Sequence, residues 1–130
     1  MRKLDLCALA LLFLSGFATM QAQVSLIPTF VTQNDTVEVL FDATQGNAEL
    51  VGVSQVYAHT GVITSASTGP TDWRYVQGNW GTADAKVQMT NLGNNQHSLK
   101  YHINTFYSVP AGETVQSLAF VFRNQDGSKV

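Results

Sequence analysis

The stretch Thr36-Val37-Glu38-Val39-Leu40-Phe41 puts Val37, Val39 and Phe41 on one side of an extended chain and Thr36, Glu38 and Leu40 on the other. A period of two belongs to a strand with one buried face. Turn-forming residues bracket it: Gln33-Asn34-Asp35 before, and Asp42 to Asn47, containing Gly46, after. Outward from this strand the same grammar repeats. Glu49 to Val53 reads as a weaker strand. Val56 to Ile63 reads as a stronger one, with Val56, Ala58, Thr60 and Val62 opposite Tyr57, His59 and Ile63. A polar loop from Thr64 to Thr71 leads to Trp73-Arg74-Tyr75-Val76, and Gln77-Gly78-Asn79 separates that run from Trp80. Val87 to Leu92 is a further strand. Gly93-Asn94-Asn95 is a hairpin turn into His97 to Ile103, which aligns His97, Leu99, Tyr101 and Ile103 on one face. After a turn at Pro110-Ala111-Gly112-Glu113, Val115 to Phe122 is nearly continuous in apolar character. That predicts a central strand buried on both faces. No window shows a helical stripe with caps. About seven short strands at this spacing predict an all-β, immunoglobulin-like antiparallel β-sandwich.

Residues 1–22 have a different character. Arg2 and Lys3 precede a hydrophobic stretch from Leu6 to Phe17, and small residues follow at Gly16-Phe17-Ala18 and Met20-Gln21-Ala22. A positive start, a short apolar segment and a small-residue site predict a signal peptide helix cleaved after Ala22, with Ala18 as the alternative. The apolar stretch is short for a membrane span. The expected product is a β-sandwich domain over 23–130, secreted or at the cell surface or periplasm, with no membrane span after cleavage. The chain's one cysteine, Cys7, lies in the signal segment, so the exported domain has no disulfide, zinc–cysteine site or thiol nucleophile. Its core alone must hold it.

The chain has 130 residues, 45% hydrophobic and 12% charged, which suits one folded domain and excludes disorder. Removal of Arg2, Lys3 and Asp5 leaves five basic and eight acidic residues, a net charge of −3. The basic residues are scattered, which argues against nucleic acid as a partner. At the other end, Asn124-Gln125-Asp126-Gly127 is a hairpin signal followed only by Ser128, Lys129 and Val130. The returning strand is short or missing, so the domain is expected to be truncated there, the front of a longer protein.

Five stretches together carry a resemblance. They are Val56 to Thr64 (VYAHTGVIT), Thr71 to Val76 (TDWRYV), Met89 to Asn95 (MTNLGNN), Phe106 to Glu113 (FYSVPAGE) and Leu118 to Gly127 (LAFVFRNQDG). In this order they resemble the N-terminal β-sandwich ahead of the catalytic barrel in secreted α-amylase-family glycoside hydrolases of Gram-negative bacteria. The plan is similar to that of starch-binding modules. The resemblance runs from Asp35 to Gly127. It implies an accessory domain for an α-glucan polysaccharide or oligosaccharide, attached to a C-terminal catalytic domain in a longer parent. This chain lacks a barrel, so the parent's hydrolysis is not expected of it.

Sugar rings have apolar faces, and their sites use flat aromatic rings flanked by hydrogen-bonding groups. Tyr57, His59, Trp73, Tyr75 and Trp80 are the candidate carbohydrate-binding residues, with Asp72, Arg74, Gln77 and Asn79 as further partners for hydroxyls. If the valine face of Val56 to Ile63 is core, Tyr57 and His59 point outward. Trp73 has a competing role as the buried indole of the sandwich, and Trp80, in a Gly/Asn-rich loop, is as readily exposed as buried. No catalytic residue and no cofactor is expected. The carboxylates sit mostly at predicted turns and polar faces, and no pair is set to flank a cleft. His97 and His102 have opposite parity on one strand and cannot chelate one ion. Asp126-Gly127 lacks the spaced oxygens of a calcium loop. Asn34-Asp35-Thr36 is a glycosylation sequon with no further support. The competing reading is a structural sandwich that packs on a neighbouring domain and binds no ligand.

Overall fold

The computed structural model describes residues 22–130. The proposed signal helix and Cys7 lie outside the described residues.

Seven strands form two antiparallel sheets, consistent with a β-sandwich. They are β1 (Val24–Ile27), β2 (Thr36–Asp42), β3 (Tyr57–Thr64), β4 (Arg74–Gln77), β5 (Thr90–Gly93), β6 (Gln96–His102) and β7 (Val115–Arg123). The four-stranded sheet runs β1-β2-β6-β5 and the three-stranded sheet runs β4-β3-β7. Val37, Val39 and Phe41 stand opposite Tyr101, Leu99 and His97, so the alternation read in β2 and β6 does face the core. Ala58 and Val62 of β3 and Phe122 of β7 meet it from the other sheet. The β5–β6 turn uses Asn94 and Asn95, both with positive φ, as a two-residue hairpin requires.

A polar chain crosses this core. The Thr60 hydroxyl donates to the Ala119 carbonyl at 2.7 Å, so the Tyr107 hydroxyl, 2.7 Å away, donates to Thr60. The Tyr101 hydroxyl in turn donates to Tyr107 at 2.9 Å. Burial holds the Tyr107 phenol up to about 12 and pushes that of Tyr101 higher still, so both keep the protons that this chain needs.

Several local expectations are corrected. β7 is not a central strand: it lies at the edge, and β3 is the middle strand of its sheet. Its apolar run has two sources, because Leu118, Phe120 and Phe122 line the interior while Val121 and Ala119 lie opposite His59 and Gly61 on an outer face that is itself partly covered. Glu49 to Val53 is a pair of turns, not a strand. Val51 N donates to Ala48 O and Val53 N to Leu50 O, and buried Leu50 plugs the core from the turn. The run from Val87 to Leu92 is split. Asp84 caps a 3-10 turn at Ala85–Val87 by accepting from Lys86 N, and β5 starts only at Thr90. Ile103 leaves its strand to begin a five-residue helix, α1 (Ile103–Tyr107). Ile103 and Tyr107, four apart, bury its one apolar face, and one turn is too short to show a periodic stripe. β1 was not legible as a strand at all.

Candidate functional site

The outer face of the three-stranded sheet is built around Gly61. A β-carbon there would lie 3.1 Å from the Arg74 carbonyl and from Val76, and 3.2 Å from the Trp73 side chain. The bare position lets β4 and Trp73 close onto β3, where the register shifts between Thr60 and Val62. His59, two residues earlier on the same face, sits between the two indoles. Its ring centre is 6.5 Å from that of Trp73 and 5.4 Å from that of Trp80, the latter nearly edge-on at 85°. His59 Nδ1 donates to the Gly78 carbonyl at 2.7 Å, which fixes the ring. Trp73 is half-buried on this outer face and is not part of the core cluster. Trp80 is 49% exposed.

Beneath Trp80 lies Arg123, with 0% of its surface exposed. Its Nη1 donates to the carbonyls of Asn124 and Gln125, and its Nη2 to those of Asn79 and Thr82, at 2.7 to 3.0 Å. The guanidinium carbon lies 5.3 Å from the Tyr57 ring centre and 5.7 Å from that of Trp80. Among the described residues, four carbonyl dipoles and two ring faces surround this charge, with no carboxylate in salt-bridge range. The arginine thereby ties the Trp80 loop to the turn after β7. Gly127, in that turn, has φ +73, and a β-carbon on it would fall 2.7 Å from Trp80 Nε1. The position requires glycine both for its backbone and for the indole.

A cleft of about 390 Å³ opens at Gly81, the residue after Trp80, with Gln55, Asn124, Gln125 and Asp126 among its polar lining; Trp80, His59 and Trp73 do not line it. The Asp126 carboxylate is held below the usual range, first by the Ser128 hydroxyl and then by Ser128 N. An exposed indole, a fixed imidazole and several amides can stack on an apolar ring face and hydrogen-bond to its substituents.

Residues 24–130 match a family described as a domain of unknown function (DUF8578). The chain belongs to this family. No curated protein matches it. Within this DUF8578 domain, the five aromatic and histidine positions singled out from the sequence separate. His59, Trp73 and Trp80 come together on one face. Tyr57, expected to point outward, is 2% exposed; its side chain does leave the valine face, but Arg123 covers it. Tyr75 stands apart with φ +54, packs against the core, and donates its hydroxyl to Glu113 Oε1 at 2.6 Å. That bond, with a second from Thr64 at 2.9 Å, holds the Glu113 carboxyl below its ordinary range. Asp72 and Arg74 pair with each other at 3.2 Å, Gln77 donates to the Tyr75 carbonyl, and the Asn79 carbonyl serves Arg123. Arg123 is the organising residue that sequence reasoning missed. An arginine between an apolar strand and a turn reads as a surface residue, and no sequence pattern announces four backbone carbonyls from two distant loops.

Proposed function

We propose that this chain is a non-catalytic carbohydrate-binding module of immunoglobulin-like type, which offers the Trp80–His59–Trp73 face to an α-glucan. It acts as an exported accessory domain of a secreted α-amylase-family hydrolase and has no hydrolytic activity of its own. The observation that carries the reading is Trp80: nearly half exposed, yet held by Arg123 from below and by Gly127 at its edge. An indole ordered before ligand arrives loses little entropy on binding. The exposed amide of Gln125, in the adjoining cleft, supplies a hydroxyl partner, and a shallow face implies modest affinity. Affinity electrophoresis tests it. The folded protein should be retarded in a gel containing starch and not in one without, and Trp80→Ala should migrate freely in both. A folded wild-type protein that starch does not slow would end the proposal.

A second reading, a structural domain with no ligand of its own, draws on Ile27 and Phe30, which are 52% and 92% exposed near the N-terminal end of the sandwich. Large apolar side chains so exposed suit a covered interface.

A further inference from the structure

The two sheets do not meet on one side. β1 is the edge of one and β7 the edge of the other, and no ladder joins them among the described residues. Along this seam Leu118 and Phe120 are only half-buried, although their register partners Val62 and Thr60 are fully enclosed. Two cavities open in it. One, of about 340 Å³, lies between Val24 of β1 and Phe120 and Phe122 of β7; the other, of about 160 Å³, lies between Leu26 and Leu118.

β7 is nine residues long, the longest strand described, yet among the described residues it pairs with a strand on one side only. Folded proteins protect such an edge with lysine, proline, a bulge or an inward charge. From Leu118 to Phe122 there is no charged residue and no proline, and the register with β3 is regular from Tyr57 to Ile63; the one shift, at Gln116, lies at the start of the strand, where Val115 N donates to Gln33 Oε1 at 2.8 Å. The chain after β7 shows which way a neighbour would run. Asn124 N donates to Lys129 O, and Lys129 N donates to Asn124 Oδ1, both at 3.1 Å, so the chain doubles back antiparallel to β7. Val130 then lines the larger cavity beside Phe120 and Phe122.

We propose that this seam is a docking site for one further β-strand: an extended polypeptide segment, antiparallel to β7, with an uncharged apolar side chain at every second position. Those side chains fill the two cavities and complete the core, while backbone hydrogen bonds to the free edge provide the rest of the affinity. The inference is independent of the carbohydrate reading.

Amide hydrogen exchange of the full chain, followed by NMR with and without a probe peptide, tests it. The probe is Lys-Thr-Val-Thr-Val-Thr-Val-Thr-Lys at millimolar concentration, and its control has aspartate in place of each valine. Amides of a strand point alternately to its two neighbours. The valine peptide should therefore slow exchange at alternate amides between Leu118 and Phe122 by about tenfold or more, and the aspartate peptide should not. Three results would overturn the proposal: no alternate protection from the valine peptide, alternate amides already protected in the free monomer, or protection that rises with protein concentration without peptide. The last would identify a second copy as the occupant.

Discussion

In the four-stranded sheet Val37, Val39 and Phe41 turn inward while Glu38 and Lys100 lie opposite each other in register on the outer face; in the three-stranded sheet both faces carry large side chains. The first is the ordinary economy of a sheet with one dry side. The second has an additional layer, in which Tyr57 and Trp80 flank a buried arginine and His59 stands between Trp80 and Trp73. A fully buried cation and a half-exposed indole on the same face are not needed to close a core that Val62, Thr60 and Ala58 already close from inside. The difference locates the candidate site, and it predicts that the outer faces respond very unequally to mutation.

Arg123→Met should show the largest effect. It strands four carbonyls that Arg123 now satisfies and should cost about 3–5 kcal/mol in urea unfolding. A loss below about 1 kcal/mol would mean that the additional layer is ornament on a self-sufficient sheet. Tyr107→Phe probes the chain linking the two sheets. It leaves Tyr101 without its acceptor and Thr60 without its donor, and should cost about 1–3 kcal/mol.

The four-stranded sheet has its own irregularity in His97, buried opposite Phe41, with neither ring nitrogen hydrogen-bonded among the described residues. Burial holds its pKa below 6.5. The unfolded chain therefore takes up a proton first as pH falls, so stability is lost from about pH 6.5 downward until the folded histidine is also protonated. Asp42 and Glu113, whose pKa values are lowered, add losses only further down, as the pH drops through the carboxylate range. Urea midpoints should decline as pH falls through this range in the wild type, and His97→Leu should flatten the upper part of the decline. The smallest effect belongs to Glu38→Gln on the polar outer face, within about 0.5 kcal/mol of wild type. If it matched Arg123→Met, the contrast between the two sheets would vanish.

Much of this protein is written in its sequence. Alternation over 36–41 gives β2 its inner face, parity along β6 sends His97, Leu99 and Tyr101 to the core, and Asn94-Asn95 makes a hairpin. These features depend on neighbours within a few residues, where periodicity and backbone preference act directly. Tertiary structure alone decided that β7 is an edge, that Tyr57 is covered, that Glu49 to Val53 turns, and that Trp73 packs outside the core. An apolar run looks the same in the middle of a sheet and beside an open seam, since burial records what the rest of the chain brings to it. Arg123 is the clearest case: its burial depends on carbonyls about forty residues away in sequence, and no local pattern encodes a partner at that distance.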